Sequence, residues 1–99
     1  MAEAHRLKDV LVQLGASKVW LFGSLARGDR EPGDIDMMAI WETPLRFFDR
    51  IDAVYERVTP TVAVDLLIYT PAEFNELVTS RRFVQQAVKE GKLLYEKAV

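Results

Sequence analysis

The chain has 99 residues, 49% of them apolar, with 13 Lys and Arg against 15 Asp and Glu and a formal charge of −2. That length predicts one small domain over residues 1–99 with enough apolar content for a core. The charge balance supplies no positive field and argues against nucleic acid as a main partner, while the lack of cysteine excludes disulfides, thiolate catalysis and cysteine zinc sites. The amino terminus MAEAHRLKDV is amphipathic and acid-containing rather than an apolar secretory core. No apolar run approaches a membrane span of roughly 18 residues, and the expectation is a soluble cytoplasmic protein.

Taken in chain order, the pattern alternates helices and strands. Leu7, Val10, Leu11 and Leu14 form one helical stripe and predict a helix over residues 3–14, stopped by Gly15. KVWLF predicts a first strand over Lys18 to Phe22. Gly23-Ser24 then turns the chain, residues 24–27 read as a brief helical turn, and GDREPG reads as an exposed loop. A second strand is predicted from Asp34 to Trp41. Thr43-Pro44 reads as an N-cap with proline at the first helical position, opening a helix that buries Phe48, Ile51, Tyr55 and Val58 and ends at Pro60.

A third strand is predicted from Thr61 to Tyr69, with Val62, Val64, Leu66 and Ile68 on one face and Ala63, Asp65 and Leu67 on the other. Thr70-Pro71-Ala72-Glu73 is a capping box for a helix carrying Phe74, Leu77 and Val78. Ser80 reads as the cap of a further helix, Arg81 to Glu90, with Phe83, Val84, Ala87 and Val88 inward and Gly91 as its stop, and KLLYE closes as an edge strand. The order αβαβαβ plus a terminal edge strand makes this an α/β (α+β) chain with helices packed on a small mixed sheet.

Chemistry concentrates in three acids and one turn. At about 3.3 Å per strand residue, Asp34 and Asp36 fall roughly 6 to 7 Å apart on one strand face, close enough to share divalent metal. Asp65 interrupts the apolar run VAVDLLI, where an ionised carboxylate needs a partner or a metal, and its strand parity lets it share that face. Three clustered carboxylates repel one another without metal, whereas Mg²⁺ reverses the penalty and suits phosphoryl or nucleotidyl transfer. Gly23 lets the backbone approach phosphate closely, Ser24 offers a hydroxyl and an amide, and Arg27 can donate to phosphate oxygens.

The stretch GSLARGDREPGDIDMMAI, with VAVDLLIY downstream, resembles the minimal nucleotidyltransferases of the DNA polymerase β superfamily, whose pattern is Gly-Ser, Ala-Arg-Gly, Asp-x-Asp and a later Asp. The resemblance spans nearly the whole chain. It implies the nucleotidyltransferase fold, two Mg²⁺ ions held by the catalytic acids Asp34, Asp36 and Asp65, and ATP gripped by Gly23 and Ser24 with help from Arg27. Two departures stand out: nine residues separate Gly-Ser from the Asp pair where the family commonly has ten, and Gly33 replaces the serine before the first Asp. Both fall in the exposed loop. Such minimal enzymes are typically encoded with a helical HEPN toxin, which implies a hetero-oligomer and AMP transfer from ATP to a partner tyrosine, with Asp65 the candidate base. Two alternatives are a binding-only antitoxin and transfer to a small-molecule acceptor; no acceptor-binding domain is encoded for the latter.

Other residues read as structure. His5 is solitary on a polar helix flank, Arg81-Arg82 is a solvated pair, and Trp20, Trp41 and Phe47-Phe48 belong to the core. Met38, Ile40 and Leu67 share the acid-bearing face; core under a helix is the preferred reading, a contact surface the alternative.

Overall fold

The computed structural model describes residues 2–23 and 34–98, with the side chains of all of these except Ala2 and Asp34. Residues 24–33, which hold Ser24, Arg27, the predicted helical turn and the predicted loop, lie outside the described residues. The described elements are α1 (Ala2–Leu14), β1 (Ala16–Phe22), β2 (Asp34–Trp41), α2 (Phe47–Tyr55), β3 (Ala63–Tyr69), α3 (Pro71–Ser80), α4 (Arg82–Glu90) and β4 (Lys92–Glu96). Four strands form one mixed sheet in the order β3-β2-β1-β4; β2 and β3 run parallel, while β1 is antiparallel to both its neighbours. Among the described residues no helix is long and apolar enough to cross a membrane.

Period-2 alternation gives the sheet two apolar faces, each covered by helices. On one face Val19, Leu21, Ile35, Met37, Leu66 and Ile68 meet Leu7 and Leu11 of α1 and Val54 of α2. On the other, Trp20, Met38 and Ile40 meet Val84 and Ala87 of α4, with Phe74 and Leu77 of α3 packed alongside. Trp20 stacks on Phe74 at 5.4 Å between ring centroids. Met38 and Ile40 are buried in that second cluster and are core, while Leu67 is half-buried beside them and also borders a surface cleft.

Several boundaries move for identifiable reasons. β1 begins at Ala16, two residues earlier than the sequence suggests, because a register shift between Ala16 and Lys18 lets Ala16 still pair with Trp41. Gly15 carries φ +119°, a backbone turn that favours glycine, and its N–H closes α1 onto Leu11 and Val12. Thr43 does not cap α2: its Oγ1 accepts from the Leu45 N–H, a local side-chain bond that competes with helix, and α2 starts four residues later, capped by Arg46 without a side-chain bond. It ends at Tyr55, well before Pro60. Ser80 closes α3 instead of capping α4, donating its hydroxyl to the Glu76 carbonyl. The capping box at Thr70 and Glu73, with Pro71 in the first turn, forms as the sequence predicts.

The predicted inward stripe of α2 is rotated. Phe48 is 76% exposed and Tyr55 is exposed too, while Val58, as expected, and Val54 and Arg50, against expectation, are buried. Phe83 of α4 is likewise exposed where burial was predicted. Arg50 is tolerated inside because its guanidinium is fully engaged: it donates to the Leu45 carbonyl at 2.9 Å, the Ile68 carbonyl at 3.0 Å and the Glu73 carboxylate at 2.7 and 3.2 Å. The pairing holds the Glu73 carboxyl below its ordinary range, Arg50 being the largest cause. At the other end of α2, Glu3 of α1 accepts from Arg6 and from the Thr61 hydroxyl, and Arg6 donates to the Thr59 carbonyl, fastening the segment that leads into β3.

Two measurements test these anchors. Arg50→Met should lower stability by about 2–3 kcal/mol in urea unfolding, because two carbonyls and Glu73 lose their donor, and Arg50→Lys should recover less than half. Glu3 is held down from 4.5 to about 2, chiefly by its bond from Arg6. The unfolded chain therefore takes up this proton first as pH falls, so the Glu3 contribution is full above pH 4.5 and is lost on the way to about pH 2. Thermal midpoints of wild type and Glu3→Gln should converge across that window, and a constant gap would contradict the assignment.

Candidate active site

β1 arrives at one end of the sheet where β2 and β3 leave it, so the residues of interest meet there. Phe22 pairs with Asp36 across the antiparallel β1–β2 ladder, and Asp36 pairs with Asp65 across the parallel β2–β3 ladder. Neighbouring strands lie about 4.8 Å apart, and residues in register put their side chains on the same face, so Asp36 and Asp65 stand side by side. Asp34 opens β2 opposite Ala63. The register places both acids on the face covered by α3 and α4, while Ile35, Met37, Val64 and Leu66 point to the opposite core. Asp36 is half-buried and Asp65 exposed.

Gly23 follows β1 with φ +74°. A Cβ placed on it would overlap Asp36 Oδ2, so a side chain there would force the carboxylate to move. The missing side chain is thus what lets the Asp36 carboxylate lie against the turn. Asp36, Asp65, Phe22, Gly23 and Phe83 border one cleft of about 650 Å³, within the range of small-molecule sites. Phe83 leans edge-on against Phe22 with ring centroids 5.7 Å apart. A smaller cavity of about 170 Å³ continues past Gly23 to Gln86 and Glu90 of α4.

Of the sequence-predicted site residues, Gly23, Asp36 and Asp65 come together in this cleft; Ser24 and Arg27 lie outside the described residues, as does the Asp34 side chain. Among the described residues no three His, Cys, Asp or Glu side chains converge as a metal group. His5, Arg81 and Arg82 are exposed on the surface. The sequence reading missed the wall of the cleft, where Phe48, Ile51 and Tyr55 of α2 face outward. The available signal was the Arg50–Val54 spacing: one turn of helix separates a residue able to bond carbonyls from a β-branched one, and the row Asp49, Asp52, Glu56 marks the solvent side.

The family described as Polymerase beta, Nucleotidyltransferase matches residues 5–98, and the chain belongs to it: it is a nucleotidyltransferase domain. No curated protein matches the chain. Among solved structures it is similar in fold to a toxin-antitoxin with AMP-PNP (TM-score 0.66, 22% identity, 98% of this chain and 75% of that one) and to a mutant of the toxin-antitoxin MntA-HpeT (TM-score 0.62, 20% identity, 95% and 73%). A chain from Sulfolobus solfataricus solved as a candidate nucleotidyltransferase is also similar (TM-score 0.58, 22% identity, 97% and 86%).

Gly23→Ala tests the contact between turn and carboxylate. It should lower stability by about 1–2 kcal/mol from the positive φ, plus a clash with Asp36. Urea unfolding in an Asp36→Ala background separates the two, since only the φ penalty should remain there.

Proposed function

We propose that the chain is a cytoplasmic, Mg²⁺-dependent nucleotidyltransferase that moves AMP from ATP to a hydroxyl acceptor, a tyrosine of a HEPN-type toxin with which it forms a hetero-oligomer. The observation that carries this reading is Asp36 in register with Asp65, beside a glycine whose bare backbone accommodates the Asp36 carboxylate. Hard carboxylate oxygens on adjacent strands fit Mg²⁺, and Asp34, Asp36 and Asp65 are the residues that would hold it. When bound, the metal supplies charge neutralisation on the phosphate oxygens.

The remaining steps belong to the chain. Gly23 and Ser24 cradle the triphosphate, with Arg27 donating to its oxygens; the roles of Ser24 and Arg27 rest on the sequence pattern. The acceptor oxygen forms a bond to the α-phosphorus as the bond from that phosphorus to the bridging oxygen breaks. The electron pair leaves with pyrophosphate, and the hydroxyl proton passes to Asp65, whose exposure leaves it open to an incoming acceptor. Fold likeness to a toxin-antitoxin with AMP-PNP and to MntA-HpeT supports a nucleotide substrate and a toxin partner.

A second reading is an antitoxin that neutralises its partner by binding alone, which the fold likeness to the toxin-antitoxin MntA-HpeT also supports. Transfer of labelled nucleotide from ATP and Mg²⁺, with the neighbouring-encoded toxin present, separates the two. Asp65→Asn should lower labelling by about a hundredfold or more while leaving the complex intact. Neutralisation without label in the wild type would establish the binding-only antitoxin.

A further inference from the structure

The stripe of α2 that periodicity assigns to the core instead borders the cleft: Phe48 is 76% exposed, Tyr55 is 39% exposed, and Ile51 lies between them. The cleft continues along β3, and among the described residues no strand flanks the outer side of β3. Alternate residues of a strand turn their N–H and C=O groups to opposite edges. Tyr55 donates its hydroxyl to the Val64 carbonyl at 3.5 Å and Arg50 donates to the Ile68 carbonyl at 3.0 Å, so the even-numbered residues of β3 face the open edge. Leu66 sits between them on that edge.

The geometry points to a docking site for an extended segment of the protein partner, which lies along the edge of β3, pairs with the Leu66 backbone between the two carbonyls that Tyr55 and Arg50 occupy, and carries the acceptor hydroxyl; this rests on the proposed transfer to a protein hydroxyl. The two faces of the sheet make the fit specific. Side chains of the docked segment alternate between the face of Asp36 and Asp65 and the face where α2 presents Phe48, Ile51 and Tyr55. A hydroxyl-bearing residue opposite Asp65 is therefore flanked by neighbours that bury apolar side chains against α2.

Charge narrows the occupant further. Asp49, Asp52 and Glu56 are exposed along α2 beside the apolar stripe, and Asp36 and Asp65 lie on the other side of the edge. Arg46 and Arg57 stand at the two ends of that helix. Carboxylates thus stand on both sides of the middle of the groove, with arginines only at the helix ends, and they attract a segment with Lys or Arg close to its hydroxyl residue and repel an acidic one.

The test uses a fluorescent peptide with a central tyrosine between valines and lysines at both ends, read by anisotropy without nucleotide. The wild type should bind it. Phe48→Ser, a change at an exposed side chain, should weaken binding by about tenfold. A glutamate-ended peptide, and one with proline next to the tyrosine so that an edge N–H is lost, should bind at least as weakly. Failure of the wild type to bind, equal binding by Phe48→Ser, or undiminished binding of the proline peptide would overturn the docking site. So would a dimer of the chain, seen by sedimentation, that Phe48→Ser dissolves, since the edge would then serve a second copy. Binding by this surface without transfer from ATP would sink the proposed activity and leave the docking site standing.

Discussion

The parallel register of β2 on β3 is the constraint on which the rest depends. It sets Asp36 beside Asp65 and, one residue away on either strand, buries Ile35, Met37 and Leu66, with Val64 half-buried among them, on the opposite face. A slip of one residue would drive the carboxylates into the helix-covered core and bring the aliphatic residues to the cleft. The core therefore holds the two acids in register, and the hydrophobic energy of one face enforces the polar arrangement of the other.

β3 has to be held while its outer edge stays open. Glu3 and Arg6 secure the segment that enters it, and Arg50 bonds the Ile68 carbonyl near its end while gripping Glu73 at the start of α3. Side chains, rather than another strand, occupy these edge carbonyls. That choice leaves the middle of β3 accessible beside the cleft, which is compatible with an enzyme whose proposed acceptor is another protein.

Much of the fold was legible in the residues. β2 spans the predicted Asp34 to Trp41, the Thr70–Glu73 capping box opens α3, and the KLLYE edge strand pairs with β1. Asp65 was expected on the face of Asp36, and the register puts it there. The error lay in α2, where two stripes compete: Phe48, Ile51 and Tyr55 are more apolar than the pair Arg50 and Val54, yet that pair is what the helix buries. Periodicity sums side-chain polarity along one helix and cannot register that a guanidinium will find two carbonyls and a carboxylate from other elements. The same blindness hid the cleft wall, because an apolar stripe reads as core wherever it lies.

The sequence by itself determined the order of the described elements and the family, because strand alternation, capping residues and the Gly-Ser and Asp-x-Asp spacing are local properties of the chain. Only the tertiary structure decided which helix face is buried, that β3 lies at the sheet edge, and that the Asp36 carboxylate packs where a Gly23 side chain would stand. Those facts rest on contacts between residues far apart in sequence, and packing and backbone satisfaction across the sheet settle them where local propensity is silent.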